Sequence, residues 1–138
     1  MASIYRAIEI EAPPEAVWDA LRDIGALHRR LAPGFVTDVS LEEGARVVTF
    51  GNGLVARELI VDVDDEARRL VWSVVGGRMT HHNASAQVFD APGGGTRFVW
   101  ITDVLPDAVG AVTDQMMTRG IAVIEQTLAA AAAADVAS

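Results

Sequence analysis

The chain has 138 residues, 51% hydrophobic and 22% charged, with a formal net charge of −8. That length fits a single domain spanning residues 1–138, large enough to bury a real core. The absence of cysteine excludes disulfides, thiolate nucleophiles and zinc–sulfur sites. All 11 basic residues are arginines, adjacent only at Arg29–Arg30 and Arg68–Arg69, so no cationic cluster offsets the acidic balance and nucleic acid is not an expected partner.

The N-terminal stretch SIYRAIEIEA lacks the apolar core of a signal peptide. No apolar run approaches the roughly 20 residues of a membrane span. The expectation is a soluble, cytoplasmic protein.

In chain order, Ile4, Arg6, Ile8 and Ile10 alternate with Tyr5, Ala7, Glu9 and Glu11, the period of a half-buried strand. Ala12-Pro13-Pro14 ends it and opens a helix, in which Val17, Trp18 and Leu21 fall at helical spacing. IGALHRRL continues as a second short helix up to Pro33-Gly34. Six strands follow: FVTDVSLEE, ARVVTF, LVARELIVDV, RLVWSVV, MTHHNASAQVF and TRFVWITDVL. Glycine- and aspartate-rich turns separate them, and connections this short imply antiparallel pairing. After Pro106, Asp107 is placed to cap a helix running to about residue 134. Its apolar stripe is Val109, Val112, Met116, Met117, Ile121, Ile124 and Leu128, and Glu125 flanks that stripe as a solvated residue.

This order predicts an α+β protein: a seven-stranded curved antiparallel sheet around a long C-terminal helix, with two short helices between the first two strands. It resembles the helix-grip fold of the START-like superfamily, which includes polyketide cyclases, the birch-pollen-allergen family and plant abscisic-acid receptors. The resemblance is carried by APPEAVWDALRD, ARELIVDVDDEARRLVWSVVGG and VWITDVLPD. It implies an internal cavity between sheet and helix.

His81 and His82 are strand neighbours and point to opposite faces, so they cannot chelate one metal. No carboxylate–histidine set has metal-motif spacing, and neither a metal nor a cofactor is expected. His82 shares the more apolar face with Ala84, Ala86 and Val88, which predicts His82 inward and His81 in solvent. At residues 57 and 58 two signals disagree. Strict alternation puts Arg57 on the face of Leu59, Val61 and Val63, whereas the resemblance implies that Glu58 faces the cavity. The resemblance also implies that Trp72, Val74, Ala84, Ala86, Val99, Met117 and Ile121 line the cavity. Thr37 falls where the hormone receptors carry a ligand-pairing lysine, so the hormone-acid pairing is not implied here.

Three functions are compatible with these residues. One is binding or carrying a small hydrophobic molecule, such as a lipid, polyketide or isoprenoid-like compound, which calls for a pocket of at least about 300 Å³. A second is a cyclase- or dehydratase-type enzyme in which Glu58 and His82 exchange protons with a polyketone. The third is a filled-core protein acting through a partner surface, a homodimer being one form of it. No nucleophile–base–orienter set is legible.

Overall fold

The computed structural model describes residues 2–137. Strand β1 (Ala2–Ile10) leads into helix α1 (Pro14–Arg22). A 3₁₀ turn (Ile24–Ala26) and a π-helical turn (Leu27–Leu31) follow. Then come β2 (Val36–Glu42), β3 (Ala45–Phe50), β4 (Val55–Asp64), β5 (Arg69–Val75), β6 (His81–Asp90) and β7 (Thr96–Leu105), and finally helix α2 (Gly110–Ala137). All seven strands form one antiparallel sheet in the order β1-β7-β6-β5-β4-β3-β2. This is the expected curved sheet gripping a long helix.

Helix α1 starts where Pro14 takes the first helical position, a place that tolerates the missing N–H and benefits from the fixed φ. Glu15 in the first turn and Arg22 in the last complement the helix dipole. Val17, Trp18 and Leu21 are buried, each contributing about 1.5–3 kcal/mol. Asp65 in the β4–β5 turn ties the helix down, accepting from Trp18 Nε1 at 3.0 Å and from Arg22 Nε at 2.7 Å.

The second short helix is a 3₁₀ turn followed by a single π-helical turn, closed by Ala32 N–H donating to the Leu27 carbonyl at 2.8 Å. Helix α2 begins at Gly110, after a 3₁₀ turn at Asp107–Val109. Its 28 residues make a rod about 42 Å long. The buried stripe is Thr113, Met117, Ile121, Ile124 and Leu128, while Val112 is exposed. The expected stripe is therefore rotated at its start, where Thr113 takes the inward place and donates its hydroxyl to the Val109 carbonyl at 2.8 Å.

The core lies between the sheet's inner face and the helices. Inward positions include Ile10, Phe98, Val88, Leu70 and Val48, all at most 3% exposed. Two bulges shape the β2–β4 end of the sheet, one at Thr37 and one at Val61. At the tip of β3, Gly51 donates its N–H to the Phe35 carbonyl at 2.9 Å. A Cβ at Gly51 would lie 2.4 Å from the Gly34 carbonyl oxygen, a backbone atom that cannot rotate away. Gly51→Ala is accordingly expected to destabilise by about 1–3 kcal/mol, measured by urea unfolding; an unchanged midpoint would contradict the close contact.

Candidate functional site

The site is built where β3, β4, β5 and β7 face the π turn and α2. Arg46 and Glu58 sit directly opposite one another on β3 and β4, and both are buried. Arg46 Nε donates to Glu58 Oε1 at 2.8 Å, and Arg46 Nη1 donates to the Ile24 carbonyl at 3.2 Å. The guanidinium also lies over the Trp72 ring, 5.8 Å from its centroid, within cation–π range. Burial pushes the Glu58 carboxyl above its ordinary range, and the charge and hydrogen bond of Arg46 oppose that shift without cancelling it.

The pair borders a small, partly open pocket, called the cavity below, of ≈70 Å³. Five of the chain's eight aromatic side chains form its wall: Phe35, Phe50, Trp72, Phe98 and Trp100. Phe35 and Phe50 meet edge to face at 5.5 Å, and Trp72 and Trp100 are tilted at 6.3 Å. Gly120 of α2 lets the rings come close, since a Cβ there would stand 2.9 Å from Phe35 and 3.1 Å from Trp100. The Trp100 Nε1–H is buried and finds no acceptor among the described residues. An unmet buried donor of this kind costs about 1–3 kcal/mol.

Of the residues expected to line a cavity, Glu58, Trp72 and Ala86 do so. Arg57 faces away and its Nε donates to Glu42 Oε1 at 2.9 Å on the surface. The bulge at Val61 explains why simple alternation misleads here: Val61 is an extra residue, so Ile60, opposite Trp72, and Val63, opposite Leu70, share the inner face with Glu58. Ala84, Met117 and Ile121 are buried and Val74 is half-buried, but none of the four borders the cavity. Val99 and Thr37 need correction. Val99 lies on the outer face, opposite Ala7 and Gln87, because alternation along β7 turns Phe98 and Trp100 inward instead. Thr37 sits at the bulge in edge strand β2, exposed, donating to the Thr49 carbonyl at 3.3 Å. The expected pocket of at least about 300 Å³ is likewise corrected, because the aromatic rings occupy the space that curvature would leave.

His82 is buried and His81 exposed. The β5–β6 ladder stops at Trp72–Ala84, and beyond it His82 Nδ1 accepts the Val74 N–H at 3.0 Å. The ring thus replaces a missing ladder partner, carries its proton on Nε2 when neutral, and does not border the cavity with Glu58. Burial, and secondarily the neighbouring His81, lowers its pKa to about 4, with Asp103 acting weakly the other way. The unfolded chain protonates near 6.5 and the folded one only near 4, so stability is full above 6.5 and falls as pH drops through that window. Partial solvent screening limits the loss to on the order of 2 kcal/mol. Urea unfolding from pH 7 to 4 should show that loss in the natural protein beyond that in His82→Gln; parallel curves would contradict it.

Arg46 and Trp100 were not among the expected site residues. Both were accessible to alternation, since Arg46 shares a strand face with Val48 and Phe50, and Trp100 with Phe98. A larger depression of ≈1200 Å³ lies between α1 and the far end of α2, but it is open to solvent. The buried Arg46–Glu58 pair borders the smaller pocket instead.

A seven-stranded sheet gripping a C-terminal helix, with a buried ion pair and aromatic wall between them, defines a helix-grip protein. A family model described as "Polyketide cyclase / dehydrase and lipid transport" matches residues 1–134. The chain belongs to this family. Among solved structures it is similar to the protein XoxI from Bacillus cereus (TM-score 0.82, 18% identity, 93% of this chain and 96% of that one). It is also similar to a norcoclaurine synthase point mutant from Thalictrum in complex with a transition-state analogue (0.70, 20%, 97% and 95%). A START superfamily protein from Mycobacterium smegmatis is a third (0.71, 9%, 94% and 96%). At these identities the structural likenesses establish the fold. A comparison with curated proteins gives no match. Among the described residues, no helix is long and apolar enough to cross a membrane.

Proposed function

We propose that the protein binds a small, largely apolar molecule between sheet and α2, held by the aromatic wall and oriented by Trp100, Arg46 and Glu58. The observation that carries this reading is the pocket walled by five aromatic side chains and bordered by the buried Arg46–Glu58 pair; Trp100, one of the five, has a buried Nε1–H without an acceptor among the described residues. An apolar pocket with a few convergent polar groups is the usual composition of a ligand site, and a ligand acceptor that reached the Trp100 indole would satisfy its unmet donor. A cavity of ≈70 Å³ is smaller than such ligands, so binding requires the wall to move. Phe35 is the residue placed to yield, lying between Gly34 at φ +86° and the bulge at Thr37.

Extraction of the purified protein with organic solvent, followed by mass spectrometry, tests this reading. An apolar compound should be recovered in a ratio approaching one per chain, and recovery no greater than from a heat-unfolded control counts against it. The proton-exchanging enzyme has less support, because His82 Nδ1 is spent on the Val74 N–H and His82 is not among the residues that line the pocket with Glu58. The small cavity itself favours a different second reading, a filled core acting through the outer face where Tyr5, Phe89 and Ile101 are exposed. Sedimentation at high concentration tests its homodimer form: a dimer supports it and a monomer removes it.

A further inference from the structure

We infer that the interior selects neutral ligands carrying a hydroxyl or keto oxygen and rejects carboxylates of the same skeleton. This names the ligand class for the binding reading above and rests on it. Three observations converge.

The first is charge. The cavity wall holds one guanidinium, Arg46, and one carboxylate, Glu58, already bonded to each other at 2.8 Å. A ligand carboxylate would add a second anion against a single cation, in a site where solvent screens little. The second is hydrogen bonding. The described contact between the pair is one Nε–Oε1 bond rather than the two-bond fork that arginine and carboxylate commonly form. The other carboxylate oxygen is therefore an acceptor available to a ligand, and Trp100 Nε1 is a donor only. A hydroxyl can give to the first and a keto or second hydroxyl oxygen can take from the other, whereas a carboxylate can only accept. The third is the formal net charge of −8, which raises the cost of bringing any anion to the protein.

Two matched pairs of probes test this by calorimetric titration: phenol against benzoate, and 2-naphthol against 2-naphthoate. At about pH 8 the phenols remain neutral and the acids are ionised. The natural protein should bind each neutral probe at least about tenfold tighter than its acid, since bringing like charges together is strongly unfavourable. Glu58→Gln leaves Arg46 unbalanced and should reverse the order. If that variant does not fold, Arg46→Gln combined with Glu58→Gln, which leaves no buried charge, should keep the preference for the neutral probe. Equal or tighter binding of the acids by the natural protein overturns the inference while leaving interior binding in place. An unreversed order in folded Glu58→Gln, or an acid preference in the double variant, also overturns it. If neither member of either pair binds, the interior-binding reading itself fails.

Discussion

Glu58→Gln is expected to destabilise the protein by about 3–5 kcal/mol, because it leaves the buried Arg46 guanidinium without its counter-charge. The side chains of the two residues are only 4% and 7% exposed, so water cannot take over the lost role. Replacing both partners together is a different experiment. Arg46→Met combined with Glu58→Leu removes two desolvation penalties as well as one attraction, and similar exchanges are often neutral or stabilising by about 1–4 kcal/mol. Chemical unfolding of the natural protein, the single variant and the double variant measures the difference directly. A double variant as unstable as the single one would mean that the pair holds the fold through more than its own charge balance. A stable double variant would instead indicate that the pair is kept for recognition, since an apolar core would serve folding as well.

Phe98→Ala should cost about 3–5 kcal/mol. Phe98 is 1% exposed at the centre of the inner sheet face and borders the cavity, so the loss of its ring extends an existing space rather than opening an isolated one. The enlarged cavity should take up benzene, as apolar cavities of roughly 150 Å³ do, and the bound molecule should recover part of the lost stability. Urea unfolding with and without benzene reads both effects. A loss below about 1.5 kcal/mol would show that the wall collapses into the gap, and the cavity would then not be a preorganised site.

The order of elements was legible because each carries a local physical signal. Pro13-Pro14 opens α1, glycine pairs punctuate the strands, and the change from a two-residue to a three- and four-residue period marks α2. The site was legible where alternation runs undisturbed: His82, Ala84, Ala86 and Val88 share the inner face. It was obscured where the backbone breaks the period. The extra residue at Val61 makes Leu59, Val61 and Val63 look like one face when they are not, and the bulge at Thr37 puts that residue on the surface. The size of the interior was not legible at all. Whether a curved sheet leaves a hollow depends on where Phe35, Phe50 and Trp100 turn their rings, and two of these lie at strand ends beside glycine turns, where sequence period says nothing of side-chain direction. Arg46 as the partner of Glu58 depends on the β3–β4 register, which the intervening turn sets and the composition of either strand alone does not.

The most direct test of interior binding is the proton–nitrogen correlation spectrum of the three tryptophan indoles during titration with 2-naphthol. Trp18 Nε1–H already donates to Asp65 at 3.0 Å and serves as the reference, whereas Trp100 Nε1–H is buried without an acceptor. Binding at the cavity wall requires the Trp100 signal to move downfield and saturate with the titration while the Trp18 signal stays in place. Saturable binding that leaves the Trp100 indole signal unmoved would contradict it.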